Sequence, residues 1–125
     1  MVVKGRYLVS FFFTKADRLL KRHDFLRLTA KGRQQQNKHF IVIFAPCKTE
    51  RTRFGITVSR KVGNAVVRNR IKRFTREYFR LNRYKNTGSW DINIIAKKEA
   101  VNLSSAQAFL FLQNIFDKIT RTLYH

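Results

Sequence analysis

The chain has 125 residues and a formal charge of +20, from 27 Lys and Arg against 7 Asp and Glu, and 44% of it is hydrophobic. That apolar content is enough for one folded domain and argues against a disordered basic tail. The charge is far above the magnitude of about 2–8 that serves solubility, so it implies a polyanionic partner, with nucleic acid ahead of an anionic membrane surface. Cys47 stands alone, which excludes a disulfide framework or a zinc cluster and suits a reducing cytoplasm.

The opening MVVKGRYLVSFFFTKADRLL has Lys4 and Arg6 ahead of an apolar run at 7–13. The run is too short for a membrane span and lacks a small-residue cleavage site, so 1–16 is expected to be a leading segment, partly disordered or packed as a strand, ahead of a domain over 17–125. A first helix is expected over Arg22–Lys31, with Phe25, Leu26 and Leu28 giving apolar contact and Gly32 as the stop. RQQQNK then reads as a polar loop. HFIVIFA, ended by Pro46, reads as a well-covered strand, and the charged CKTERTR as a hairpin connection. Phe54, Ile56 and Val58 alternate with Gly55, Thr57 and Ser59, and Trp90, Ile92, Ile94 and Ala96 alternate likewise, giving two more strands.

Between those strands lies SRKVGNAVVRNRIKRFTREYFR. Over 65–83 the apolar positions Val67, Ile71, Phe74, Tyr78 and Leu81 form one helical stripe. Asn69, Arg73, Arg76, Arg80 and Arg83 form a second ladder on the other side, flanked by Lys72. NLSSAQAFLFLQNIFDKITRTLYH makes a last helix, capped by Ser104 or Ser105, with Leu112, Ile115, Phe116, Ile119 and Leu123 inward. The expected fold is α+β, a two-layer sandwich of a small mixed sheet with helices in the order α-β-β-α-β-α.

No catalytic constellation is present. His23, His39 and His125 lie in unrelated settings and read as surface or RNA-facing residues, and the seven carboxylates are dispersed, so neither catalytic nor metal-ligating residues are expected. Asp24, Asp91 and Asp117 read as local salt-bridge or capping residues, and Cys47 as an inert thiol. The basic helix is different. Arginines repeated along one face suit phosphates in a bidentate manner, Asn64 and Asn69 add neutral donors and acceptors, and Arg60, Lys61 and Gly63 place cations and a turn at the helix N-terminus. A merely solvated face would interleave Glu at i,i+4, and Glu77 alone is available. Phe25, Phe40 and Phe44 could stack on unpaired bases, while Phe54, Phe74 and Phe116 read as core.

The run of residues 60–76, with GNAVVRNRIKR at its centre, resembles the "RNR" signature of the protein subunit of bacterial ribonuclease P. LKRHDFLRLTAKG resembles the first helix of that family, RFGITVSRKVGNA the strand entering the motif, and DINIIAKKEA the following strand with its basic turn. The similarity runs from about Arg18 to Arg121. It implies a left-handed βαβ crossover, against the general rule. It also implies a partner RNA subunit that cleaves precursor tRNA to release the 5′ leader, with Mg²⁺ held mainly by RNA. Lys61, Asn64, Arg68, Asn69, Arg70, Lys72, Arg73 and Arg76 would then dock on the RNA subunit. A cleft between the first helix and the sheet would hold the single-stranded leader through Phe25, Ile43, Arg60, Lys97 and Lys98. A second cleft aromatic, four positions after the first in many members, is Thr29 here, and Ile43 stands where some relatives carry a tyrosine. A cytoplasmic monomer in a 1:1 complex with RNA is expected. The alternative is a ribosomal-protein-like or RNA-chaperone module with no linked reaction.

Overall fold

The computed structural model describes residues 18, 21–47, 52–82 and 89–124. Its elements are α1 (Arg22–Lys31), β1 (Arg33–Gln36), β2 (Phe40–Pro46), β3 (Arg53–Thr57), α2 (Ala65–Asn82), β4 (Trp90–Ala96), a 3₁₀ turn (Lys98–Asn102) and α3 (Ser105–Tyr124). The expected α+β class and element order are present, with one added strand. The 1–16 segment lies outside the described residues, while Arg18 makes an isolated parallel bridge to Phe54.

The sheet order is β1-β2-β4-β3, antiparallel except for the parallel β3/β4 pair. Two expectations from sequence are corrected by this order. RQQQNK is not a loop: Arg33–Gln36 pairs with residues 41–44 as an edge strand. Asn37 makes this possible, because its Oδ1 accepts the amides of His39 and Phe40, both at 2.9 Å, and closes a tight turn. CKTERTR does not join a hairpin, because β4 lies between β2 and β3. The parallel β3/β4 pair instead needs a crossover, and α2 supplies it.

Strand alternation gives the sheet two unequal faces. Phe40, Val42 and Phe44 of β2, Phe54 of β3, and Ile92, Ile94 and Ala96 of β4 point into the main core with Ile71, Tyr78 and Phe79 of α2 and Ala108, Leu112, Ile115 and Ile119 of α3. Phe40 and Phe44 are therefore core residues and do not present rings for base stacking. Ile41, Ile43 and Ala45 point the other way, where α1 lays Leu28 on Ile43 and leaves a partial third layer. At the end of α1, Gly32 lets the chain approach β2: a Cβ there would meet Ile43 Cγ2 and the Leu28 carbonyl at 2.6 Å. Leu26, expected to give apolar contact, is exposed, because it falls off the 25/28 face.

The α2 stripe also drifts from its expected line. Ile71, Thr75, Tyr78 and Phe79 are buried, whereas Leu81 is exposed, since 3.6 residues per turn carries a 3/4 stripe round the helix. Thr75 tolerates burial by donating to the Ile71 carbonyl at 2.8 Å. Of the three phenylalanines expected in the core, Phe54 is fully buried and Phe74 and Phe116 are partly so. The start of α3 is a capping box: the Gln107 amide donates to Ser104 Oγ at 3.2 Å, and the Ser104 amide donates to Gln107 Oε1 at 3.0 Å. Rings of Phe109 and Phe116 pack on Tyr78, whose hydroxyl donates to Gln113 at 2.9 Å. Burial pushes that phenol well above its ordinary pKa.

Candidate nucleic-acid interface

The helix that carries the arginines is started by its own sequence. Asn64 Oδ1 accepts the Val67 amide at 3.0 Å, and the Asn64 carbonyl accepts the Arg68 amide at 2.9 Å. Its side-chain oxygen is thus a helix cap. Just before it, a turn closed by Val62 N–H to the Ser59 carbonyl buries Val62 and leaves Arg60 and Lys61 exposed. Gly63 permits the turn to fold against the helix: a Cβ there would lie 3.0 Å from Val67 Cβ and Cγ1.

Once Ile71, Thr75, Tyr78 and Phe79 face the core, Val66, Asn69, Arg73 and Arg76 face solvent in steps of three, four and three. This strip is about 15 Å long. Arg68 and Lys72 flank it, half-buried. No acidic residue occupies the first turn of α2. Two arginines of this helix are otherwise engaged. Arg70 donates to the Val101 carbonyl at 2.6 Å, fixing α2 to the 3₁₀ turn. Arg80 bonds Glu77 on its own helix, which holds that carboxyl below its usual range and raises the guanidinium. Arg83 lies outside the described residues.

The second surface is the half-covered sheet face. Register aligns Ile41, Ile95 and Thr57 as one row across three strands. Ile41 and Ile95 stay partly exposed and, like Phe25 of α1, pack against the Leu28–Ile43 pair. Ile43 is buried beneath Leu28, so Ile41 and Ile95, which sequence alone did not single out, are the accessible apolar groups of the cleft. Alternation along the strands points to them, once the inward set is known to be even-numbered on both. Thr29, in the position of the missing second aromatic, donates its hydroxyl to the Phe25 carbonyl at 3.0 Å. Buried Asn93 accepts the Thr57 hydroxyl at 3.2 Å.

Because β3 and β4 run parallel, their C-terminal ends coincide. Arg60 and Lys61 after β3, the start of α2, and Lys97 and Lys98 after β4 therefore share one end of the sheet. Lys98 is exposed, whereas Lys97 Nζ donates to the Asn37 carbonyl at 2.8 Å. The cationic strip and the apolar cleft thus meet at a common basic end.

The other end of the cleft is closed by a charge-balanced ion cluster. Asp91 of β4 is fully buried and accepts Arg53 Nε and Nη2 at 2.9 and 2.8 Å, together with Arg27 of α1. Arg53 also reaches the buried Asp24 at 3.3 and 3.4 Å. Asp24 has the local salt-bridge partners expected from sequence, His23 at 3.6 Å and Arg27 at 3.9 Å, but it also bonds Arg53, and Asp91 bonds only residues distant in sequence, so the pair joins α1 to β3 and β4. The hydrogen bonds that Arg53 donates to Asp91, with smaller help from Asp24, push its guanidinium pKa upward against burial. Their oxygens face guanidinium groups, so they do not fit a metal ion. Among the described residues no group of three His, Cys, Asp or Glu could hold one. His39 also departs from its surface reading. Its ring stacks on Phe111 at 4.0 Å, Nδ1 is buried without a hydrogen-bond partner, and burial with nearby Lys38 lowers its pKa. His23 remains exposed and His125 lies outside the described residues. No helix among the described residues is long and apolar enough to cross a membrane.

Known proteins share this chain's sequence pattern and fold. A family model described as Ribonuclease P matches residues 13–120. The ribonuclease P protein component of Desulforapulum autotrophicum is 50% identical over 113 residues, covering 90% of this chain and 97% of that protein. The solved RNase P protein of Staphylococcus aureus superposes with a TM-score of 0.79 at 36% identity, covering 84% of this chain and 96% of that one. That of Thermotoga maritima gives 0.72 at 35%, covering 78% and 92%. With its RNR helix, its half-open sheet face and these relatives, the chain belongs to the ribonuclease P protein-component family.

Proposed function

We propose that the chain is an RNA-binding subunit that assembles with the catalytic RNA of ribonuclease P and assists Mg²⁺-dependent removal of the 5′ leader from precursor tRNA. The observation that carries this reading is the meeting of the α2 strip and the α1–sheet cleft at one basic end. Arg68, Asn69, Lys72, Arg73 and Arg76, with Lys61 and the outward side of Asn64, would meet phosphates and riboses of the RNA subunit. Arg70 would hold α2 in place for them. The leader would enter past Arg60, Lys97 and Lys98 and lie on Phe25, Ile41 and Ile95, with Ile43 beneath.

Catalytic groups and Mg²⁺ belong to the RNA in this reading. The protein's share is electrostatic: two polyanions approach more readily when a dense cationic surface lies between them. A monomeric protein in a 1:1 complex in the cytoplasm fits this role. The test is cleavage of precursor tRNA by a bacterial ribonuclease P RNA at low Mg²⁺, with and without the protein. Stimulation is expected. Its absence, with RNA binding intact, would favour a ribosomal-protein-like or chaperone module. Phe25→Ala should weaken binding of leader-bearing precursor and leave mature tRNA unaffected; equal losses for both would make Phe25 a packing residue.

A further inference from the structure

The chain has seven carboxylates, yet two of them, Asp24 and Asp91, are buried at one point against the half-buried Arg27 and Arg53. The four formal charges cancel, so the cluster adds nothing to the field that attracts RNA. Nor is stability a sufficient reason for it, since a buried ion cluster is often no better than apolar residues of the same size. What the cluster does supply is direction. Arg53 binds Asp91 through two nitrogens and turns its remaining edge to Asp24, and Arg27 reaches the same Asp91 from α1. Asp24 precedes Phe25 in the chain, and Asp91 lies two residues from Asn93 and four from Ile95 on one face of β4. The same four groups therefore relate the helix bearing the cleft's ring to the strand bearing its floor. At the other end of α1, the close approach of Gly32 to Ile43 sets the helix height. By holding both ends, the cluster and Gly32 fix where α1 carries Phe25 relative to Ile41 and Ile95, which pack on the same Leu28–Ile43 pair.

We propose that Asp91, with Arg27, Arg53 and Asp24, forms the positioning group of the leader cleft, setting the angle of α1 and through it the discrimination between precursor and mature tRNA. This rests on the reading of the cleft as the leader site. The α2 strip is held separately, by the main core and by Arg70 on Val101, so the two RNA-binding surfaces respond independently to the cluster.

The experiment uses the protein assembled with ribonuclease P RNA, with dissociation constants measured for precursor and for mature tRNA. Asp91→Asn keeps the size and removes the charge. Arg27→Lys, at the cluster's accessible rim, keeps the charge but replaces the planar guanidinium that reaches Asp91 with a shorter ammonium side chain, and it retains a folded protein should the buried change not. Both should weaken precursor binding, by about tenfold for Asp91→Asn, the lower range of one base-stacking interaction, and by less for Arg27→Lys. Mature tRNA and the RNA subunit should bind as before. Equal weakening for both tRNAs, or precursor binding unchanged in the folded Arg27→Lys protein, overturns the proposal. Phe25→Ala in the intact cluster separates the two levels. If it weakens precursor binding while the cluster variants do not, the positioning role alone fails; if it too is without effect, the cleft reading fails with it.

Discussion

Arg70 and Arg73 are three residues apart in the same arginine-rich run, but the structure gives them different tasks, and substituting each to Ala separates those tasks. Arg73 is exposed on the outward strip, while Arg70 is half-buried and bonded to the Val101 carbonyl at 2.6 Å. Removing one phosphate-binding cation lowers the slope of log affinity against log salt by about 0.7–0.9. For Arg73→Ala this narrows the affinity gap to wild type by about threefold between 50 and 200 mM salt, while thermal stability is unchanged. Arg70→Ala removes a charged donor from a partly buried carbonyl. That is worth about 1 kcal/mol after allowing for exposure, or about 4 °C in Tm for a domain this size. Its salt slope should stay at the wild-type value. Filter binding to the RNA subunit across a salt series, beside thermal melts, reads both effects. An unchanged slope in Arg73→Ala would place the strip away from phosphate. An equal drop in both variants would mean that Arg70 abandons Val101 in the complex.

Asn64→Ala should lower stability by about 1 kcal/mol through loss of the α2 cap. Asn64→Asp should keep the cap and the melting temperature yet bind RNA more weakly, because a carboxylate would then face phosphate; equal RNA affinity in the two proteins would place Asn64 away from the RNA. Ile115→Ala, in the closed core, should cost about 2–5 kcal/mol in urea unfolding, whereas Leu110→Ala on the same helix, 65% exposed, should cost nearly nothing. The lowered pKa of His39 makes a pH prediction. As pH falls below about 6.5 the unfolded chain takes up this proton before the folded one, so stability drops on the acid side. Lys38 and Lys97 strengthen this trend and Glu99 opposes it. His39→Phe should flatten the Tm profile between about pH 5 and 8, and a profile parallel to wild type would assign the protons elsewhere.

The elements that sequence exposes most directly are those with one-sided periodicity. α2 and α3 bury alternating steps of three and four residues, and β2 and β4 place odd and even positions on opposite faces, so their extents are readable before any coordinates. β1 gives no such signal, because Arg33, Gln34, Gln35 and Gln36 are polar on both faces and owe their extended form to pairing with β2 and to the Asn37 turn. The strand order is equally hidden: nothing in CKTERTR states that β4 will insert between β2 and β3. For the interface, the run of cations is legible, but the assignment of Arg70 to Val101 and Lys97 to Asn37 is not, since both carbonyl partners come from distant chain segments. The Asp24–Asp91 cluster joins residues far apart in sequence for the same reason.

The unequal faces of the sheet bear on how the molecule opens. Among the described residues, the α2/α3 side buries a broad cluster from Phe40 to Ile119, and the α1 side buries Leu28 and Ile43. Amide protons of α1 should therefore exchange with solvent through a local detachment that leaves β2 and β4 protected, while those strands exchange in global unfolding alone. A chain built this way can release and reseat α1 without dissolving the framework beneath it.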